Sequence, residues 1–162
     1  MTRIAVTGHM DISPASADLI RDRISSILRS QTGPFVGVSC IARGADSVFA
    51  HAVLAHGGEL EVVLPSADYR AAKVAESDAV RFDELLAAAT RVHVMPHQTA
   101  DRAAYEAANA ALLHEADLLI AVWDGEVSRR GGTGTVMDEA RRVGVPVTVV
   151  WPEGARRQPK AS

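Results

Sequence analysis

Residues 118–143 read LLIAVWDGEVSRRGGTGTVMDEARRV, and the order of events within them decides the fold. Leu118–Trp123 is an unbroken apolar run of strand length, the pattern of a strand buried on both faces. A polar loop follows, holding Asp124, Gly125 and then Gly131, Gly132 and Gly134 interleaved with Thr133 and Thr135. From Thr135 to Val143 the apolar residues recur at helical spacing, and Gly144 supplies a C-cap. Strand, glycine loop and helix in that order make half of a βαβ unit. The glycines place unhindered backbone N–H groups at a helix N-terminus, where the dipole favours an anion. Asp124 is carried into the same loop as a ligand-binding candidate. No Lys-Ser/Thr pair follows the last glycine, so the loop is not a Walker motif.

The same alternation runs outward through the chain. Strands are expected at Arg3–Thr7, Phe35–Ser39, Glu59–Leu64, Arg91–Met95 and Pro146–Trp151, with helices at Pro14–Arg29, Ala45–His56, Ala71–Ala88 and Thr99–Glu115. Near-continuous apolar strands separated by helices give an α/β fold: three layers around a doubly wound, mainly parallel, Rossmann-like sheet of about six strands. Arg3–Thr7 and Leu118–Trp123 are expected among its central strands. Ser13-Pro14 reads as an N-cap with proline in the first turn, and Gly57-Gly58 as a helix stop. Asp68 to Asp78 is the least regular stretch and reads as a loop over the site.

In an open parallel sheet, ligands bind at the carboxyl ends of the strands, so the residues just after each strand are the candidates. After the first strand come Gly8 and His9. Gly8 lets a ligand approach the backbone, and His9 points into the crevice. No G-x-G-x-x-G is present there, which argues against a standard dinucleotide dehydrogenase. After the second strand, Arg43 and Gly44 lead into a helix and offer positive potential, and Asp46 is expected to cap that helix. In the fourth connection Tyr105 and Asn109, four residues apart, share a helix face that could present a ring and an amide to a base or ribose. Asp138 and Glu139, one turn into the last helix, are the candidates for catalysis or for a ribose contact.

Bulk properties bound the reading. The chain has 162 residues, 48% hydrophobic and 23% charged, which suits a single domain over residues 1–152 with a basic, frayed tail over 153–162. A net charge of −3 provides no broad basic field and argues against nucleic acid as a partner. Cys40 is the single cysteine, read as a small buried residue, so no internal disulfide is expected. No Cys/His set has zinc spacing, and neither a metal nor a cofactor is expected. The N-terminus runs straight into a strand without a signal peptide, and no apolar stretch spans a bilayer. The expectation is a cytoplasmic protein with no membrane partner.

Two stretches resemble known families. SCIARGADSVFAHAVL, Ser39 to Leu54, resembles the S-G-x-A-x-G-I-D-x-x-A-H signature of bacterial DNA-processing proteins. GGTGTVMDE, Gly131 to Glu139, resembles the P-G-G-x-G-T-x-x-E motif of the lonely-guy cytokinin-activating phosphoribohydrolases. Both families belong to the SLOG superfamily of Rossmann-like nucleotide-binding domains. The resemblance implies a domain that binds a nucleotide or nucleotide-derived phosphorylated ligand, as a sensor or carrier. The alternative it implies is an N-glycosidase releasing a base from a nucleoside monophosphate. The departures favour binding: Ala108 and Asn109 stand near where the phosphoribohydrolases carry an Arg-Lys pair, Arg130 replaces the motif's proline, and Asp138 holds its glutamate position. Paired SLOG proteins and the alanine-rich helices also suggest a homodimer.

Overall fold

The computed structural model describes residues 1–126 and 132–158. The described residues form strands β1 (Thr2–Gly8), β2 (Phe35–Ser39), β3 (Glu59–Leu64), β4 (Arg91–Val94), β5 (Leu118–Val122) and β6 (Val147–Val150). Helices α1 (Pro14–Arg29), α2 (Ala45–Ala55), α3 (Tyr69–Lys73), α4 (Glu76–Ala88), α5 (Arg102–Leu113) and α6 (Thr133–Arg142) connect them. The sheet order is β4-β3-β2-β1-β5-β6 and every pairing is parallel, with Ile4 in register with Gly37 on one side and Leu118 on the other. β1 and β5 are interior strands, as the sequence indicates.

Strand order dictates the layers. The chain steps from β1 out to β4, then returns to the far side of β1, and right-handed crossovers therefore place the later helices on the opposite face. α1, α2 and α4 pack together over one face, while α5 and α6 cover the other. Alternate residues of β1 divide accordingly: Ile4 and Val6 join Ile20, Ile24 and Phe49 in one core, and Ala5 joins Leu112, Leu119 and Ala140 in the other. Apolar burial on both faces stabilises the sheet at roughly 25 cal/mol per Å².

The helix starts carry their own chemistry. Ser13 Oγ accepts the Ser16 N–H at 3.2 Å, and Asp101 Oδ1 accepts the Ala104 N–H at 2.9 Å, so α1 and α5 are side-chain capped. Such caps contribute about 1 kcal/mol each. Two regions differ from the sequence reading. The span Ala71–Ala88 is two helices, because Val74 turns extended (φ −90°, ψ 115°) and packs into the core under α4. Residues 153–158 are not frayed: Ile12 bridges Arg157, and the Arg156 N–H donates to Ser16 Oγ at 2.6 Å. Residues 159–162 lie outside the described part.

Candidate ligand site at the carboxyl edge of the sheet

β1 and β5 are neighbours, yet the chain leaving β1 enters α1 on one face and the chain leaving β5 enters α6 on the other. Their carboxyl ends therefore open a crevice at the topological switch point. His9 stands in it. Its backbone N–H donates to the Val122 carbonyl at 3.2 Å, locking the end of β1 onto β5. Its ring Nε2 accepts the Asp124 N–H at 3.2 Å and lies 3.1 Å from Asp124 Oδ1. Trp151 meets the ring edge-on, with centroids 5.8 Å apart. The His9 and Asp124 side chains are only 11% and 13% exposed. Burial opposes ionisation of Asp124, but the Glu126 N–H, His9 and Arg157 outweigh it and hold the carboxyl below its ordinary value.

Arg157 is a residue the sequence reading missed. Its Nε donates to Asp11 Oδ1 at 2.9 Å and its Nη1 lies 3.6 Å from Asp124 Oδ2. The tail thus straps the loops after β1 and β5 together. Its basic character is visible in the sequence, but nothing in a sequence gives the partner of one exposed arginine.

Two helices begin at this edge from glycines with left-handed φ. Gly44 (φ +82°, ψ −132°) precedes α2 and Gly132 (φ +87°, ψ −155°) precedes α6, and neither helix has a side-chain cap. At α2 the groups are used internally: the Ala45 N–H donates to His9 O and the Ser47 N–H to Ala42 O, each at 3.1 Å. At α6 the N–H groups of Thr133, Gly134 and Thr135 have no acceptor among the described residues. Thr133 is buried and Thr135 exposed. Gly131, Arg129 and Arg130 lie outside the described residues.

Gly8 and Gly44 serve packing. A Cβ on Gly8 would stand 2.4 Å from Ala45 Cβ and 2.7 Å from Val122 Cβ, and one on Gly44 would stand 2.6 Å from the His9 and Met10 carbonyl oxygens. Space that the sequence reading reserved for a ligand is filled by α2 and β5 at Gly8 and by the His9–Met10 backbone at Gly44.

Asp46 does not cap α2, because Gly44 holds that position and no side-chain cap bond forms. It is instead a half-buried carboxyl near Cys40 and Tyr69, and burial pushes it up to about 7 despite a hydrogen bond from the Ala42 backbone. Burial also drives the Cys40 thiol upward, in keeping with an unreactive, packed cysteine. Tyr105 is edge-on to Tyr69 at 6.5 Å, and Asn109 sits half-buried one turn further along α5.

The structure does not bring Arg43, Asp138 or Glu139 into the His9–Asp124 group. Arg43 is exposed and lines a separate cleft with Lys73 and Arg81. Asp138 is 83% exposed and 3.7 Å from Arg141, and Glu139 makes a two-point pair with Arg142. Both carboxylates thus lean toward the C-terminal end of α6, away from its uncapped start. Among the described residues no cluster of metal-ligating side chains occurs, and no helix is long and apolar enough to cross a membrane.

No protein-family model matches the sequence, and no curated protein does. Solved structures do match. DNA processing protein A from Streptococcus pneumoniae superposes with a TM-score of 0.68 at 18% identity, over 95% of this chain and 52% of that one. This chain therefore spans about half the length of that protein. DNA processing protein A from Helicobacter pylori gives 0.69 at 15% identity, over 97% and 68%. The Moco carrier protein from Chlamydomonas reinhardtii gives 0.59 at 17% identity, over 94% and 78%. The Helicobacter pylori structure concerns a single-stranded DNA binding mode, and this overturns the argument against nucleic acid drawn from net charge. A sum over the whole chain is a poor guide to the local potential that a polyanion meets. At these identities the likeness is one of fold, a Rossmann-like α/β fold with a six-stranded parallel sheet.

Proposed function

We propose that the protein binds a nucleotide or nucleotide-derived phosphorylated ligand in the switch-point crevice, with a phosphate on the N-terminus of α6. The observation that carries this reading is the uncapped first turn of α6. Thr133, Gly134 and Thr135 present backbone donors without acceptors among the described residues, and a Cβ on Gly134 would meet nothing within 4 Å. An anion there gains both the helix dipole and direct N–H bonds. His9 and Asp124 form the opposite wall, and Tyr105 with Asn109 offers a ring and an amide to the remainder of the ligand. Two features favour binding over glycosidic chemistry: Asp138 is 83% exposed beside Arg141, and the hydrogen bonds from Arg142 hold the Glu139 carboxyl below its ordinary value.

The test is a thermal-shift series with nucleoside mono-, di- and triphosphates and a single-stranded oligonucleotide, on wild type and Gly132→Val. A ligand at about 100 times its Kd stabilises by roughly 2.7 kcal/mol. That shift should vanish in Gly132→Val, whose branched side chain is strained at left-handed φ and obstructs the donors. Equal shifts in both proteins would refute the α6 site.

A further inference from the structure

On the other flank of α2 lies a cleft of about 190 Å³ that the switch-point crevice does not include. It lies between the loop after β2 and helices α3 and α4. Its floor is apolar, with Ile41 and Phe82 nearly fully buried and Val74 half-buried. Its rim is basic: Arg43, Lys73 and Arg81 surround it, with Asp78 as the single carboxylate. Arg81 is paired with Asp78 at 3.2 Å, whereas Arg43 and Lys73 have no ion-pair partner among the described residues. Three cations against one carboxylate leave two positive charges on this rim, in a chain whose net charge is −3.

We propose that this cleft is a second binding site, for a compact phosphomonoester carrying one apolar ring. The charge argues for the phosphate: a monoester carries about −1.5 to −2 at neutral pH, which matches the two unpaired cations. The apolar wall argues for the ring, since inorganic phosphate would leave Met10, 47% exposed, and half-buried Val74 in contact with water. The volume sets the size, because pockets for drug-sized ligands run to roughly 300–1,000 Å³ and this one is smaller. Arg43 and Lys73 come from different elements, the β2–α2 loop and α3, and both line the rim of this one cleft.

The probe is phenyl phosphate, titrated calorimetrically into the full chain, with inorganic phosphate and phenol as its two halves. Phenyl phosphate should bind more tightly than either half. Lys73→Glu and Arg43→Glu should each weaken it by about tenfold or more, the size of a lost charge-assisted hydrogen bond. Lys73 is fully on the surface, so its reversal leaves the fold intact even where Arg43→Glu, near Asp46, does not. Gly132→Val should titrate as wild type, which separates this cleft from the α6 site. No binding to wild type, or unchanged affinity in Lys73→Glu, overturns the proposal. Loss in Gly132→Val alone also overturns it, because the phosphate would then sit on α6.

Discussion

Helices α2 and α6 start from the same backbone device and use it in opposite ways. Gly44-Ala45-Asp46-Ser47 and Gly132-Thr133-Gly134-Thr135 each begin with a glycine at φ above +80°, each without a side-chain cap, and each follows an interior strand. In α2 the turn is saturated from within. The His9 and Ala42 carbonyls take its N–H groups, the carbonyl of Met10 presses on Gly44, and the second helical position holds a carboxylate, Asp46. In α6 that second position is Gly134, and no described residue comes within 4 Å of where its side chain would be. One start closes the scaffold; the other has donors without acceptors among the described residues, and the proposed function gives them a ligand. A glycine turn before a helix is thus a site only when its donors are not already spent.

The sharpest way to break this comparison is to burden both glycines equally. Gly44→Val adds a backbone clash to the strain of left-handed φ, so it should cost about 3 kcal/mol or more. Gly132→Val carries the strain, about 1–3 kcal/mol, and should lose ligand before it loses the fold. Urea denaturation of the two variants, each with and without a nucleotide ligand, reads both quantities. Equal instabilities, or a Gly44→Val protein as stable as wild type, would remove the distinction between a structural and a functional start.

The sequence carries much of this fold on its surface and less of its site. The β5–loop–α6 order, the apolar strands and the Ser13 cap are local patterns, and local patterns survive in a one-dimensional reading. The break at Val74 carried no glycine or proline signal, because it depends on that residue reaching the core beneath α4. His9 and Asp124 are legible as crevice residues, since both follow interior strands. Gly8 and Arg43 are legible as loop residues but not in their surroundings. Whether a glycine faces a ligand or Ala45, and whether an arginine faces a crevice or a neighbouring cleft, is decided by elements distant in sequence.

A smaller effect sharpens the comparison at the second helical position. Asp46 is raised from 3.8 to about 7 by burial, so between those values the native state binds a proton that the unfolded chain has released. Stability therefore falls as pH rises through that window, and the penalty is complete above pH 7. Asp46→Asn removes the charge while nearly preserving the shape. It should match wild type near pH 4 and exceed it at pH 8 by about 1–3 kcal/mol, reduced from the full linkage value because the residue keeps some solvent contact. Melting curves of both proteins across that range are the measurement. A difference that stays constant with pH would mean that Asp46 is ionised and accommodated.

The corresponding change in α6 should be the smallest and of the opposite kind. Gly134 is helical, is not at positive φ, and has nothing among the described residues within 4 Å of an added Cβ. Ala there restricts the unfolded chain and meets no obstacle, so Gly134→Ala should stabilise the free protein by about 0.5–1 kcal/mol. The same methyl group would project into the space that a phosphate needs beside the Thr133 and Thr135 N–H groups. The ligand-induced shift should therefore shrink even as the free protein melts higher. Thermal melts with and without nucleotide separate the two effects, because a purely structural glycine would move both curves together. Free and bound stabilities rising in parallel would mean that the open turn of α6 is not where the phosphate lies.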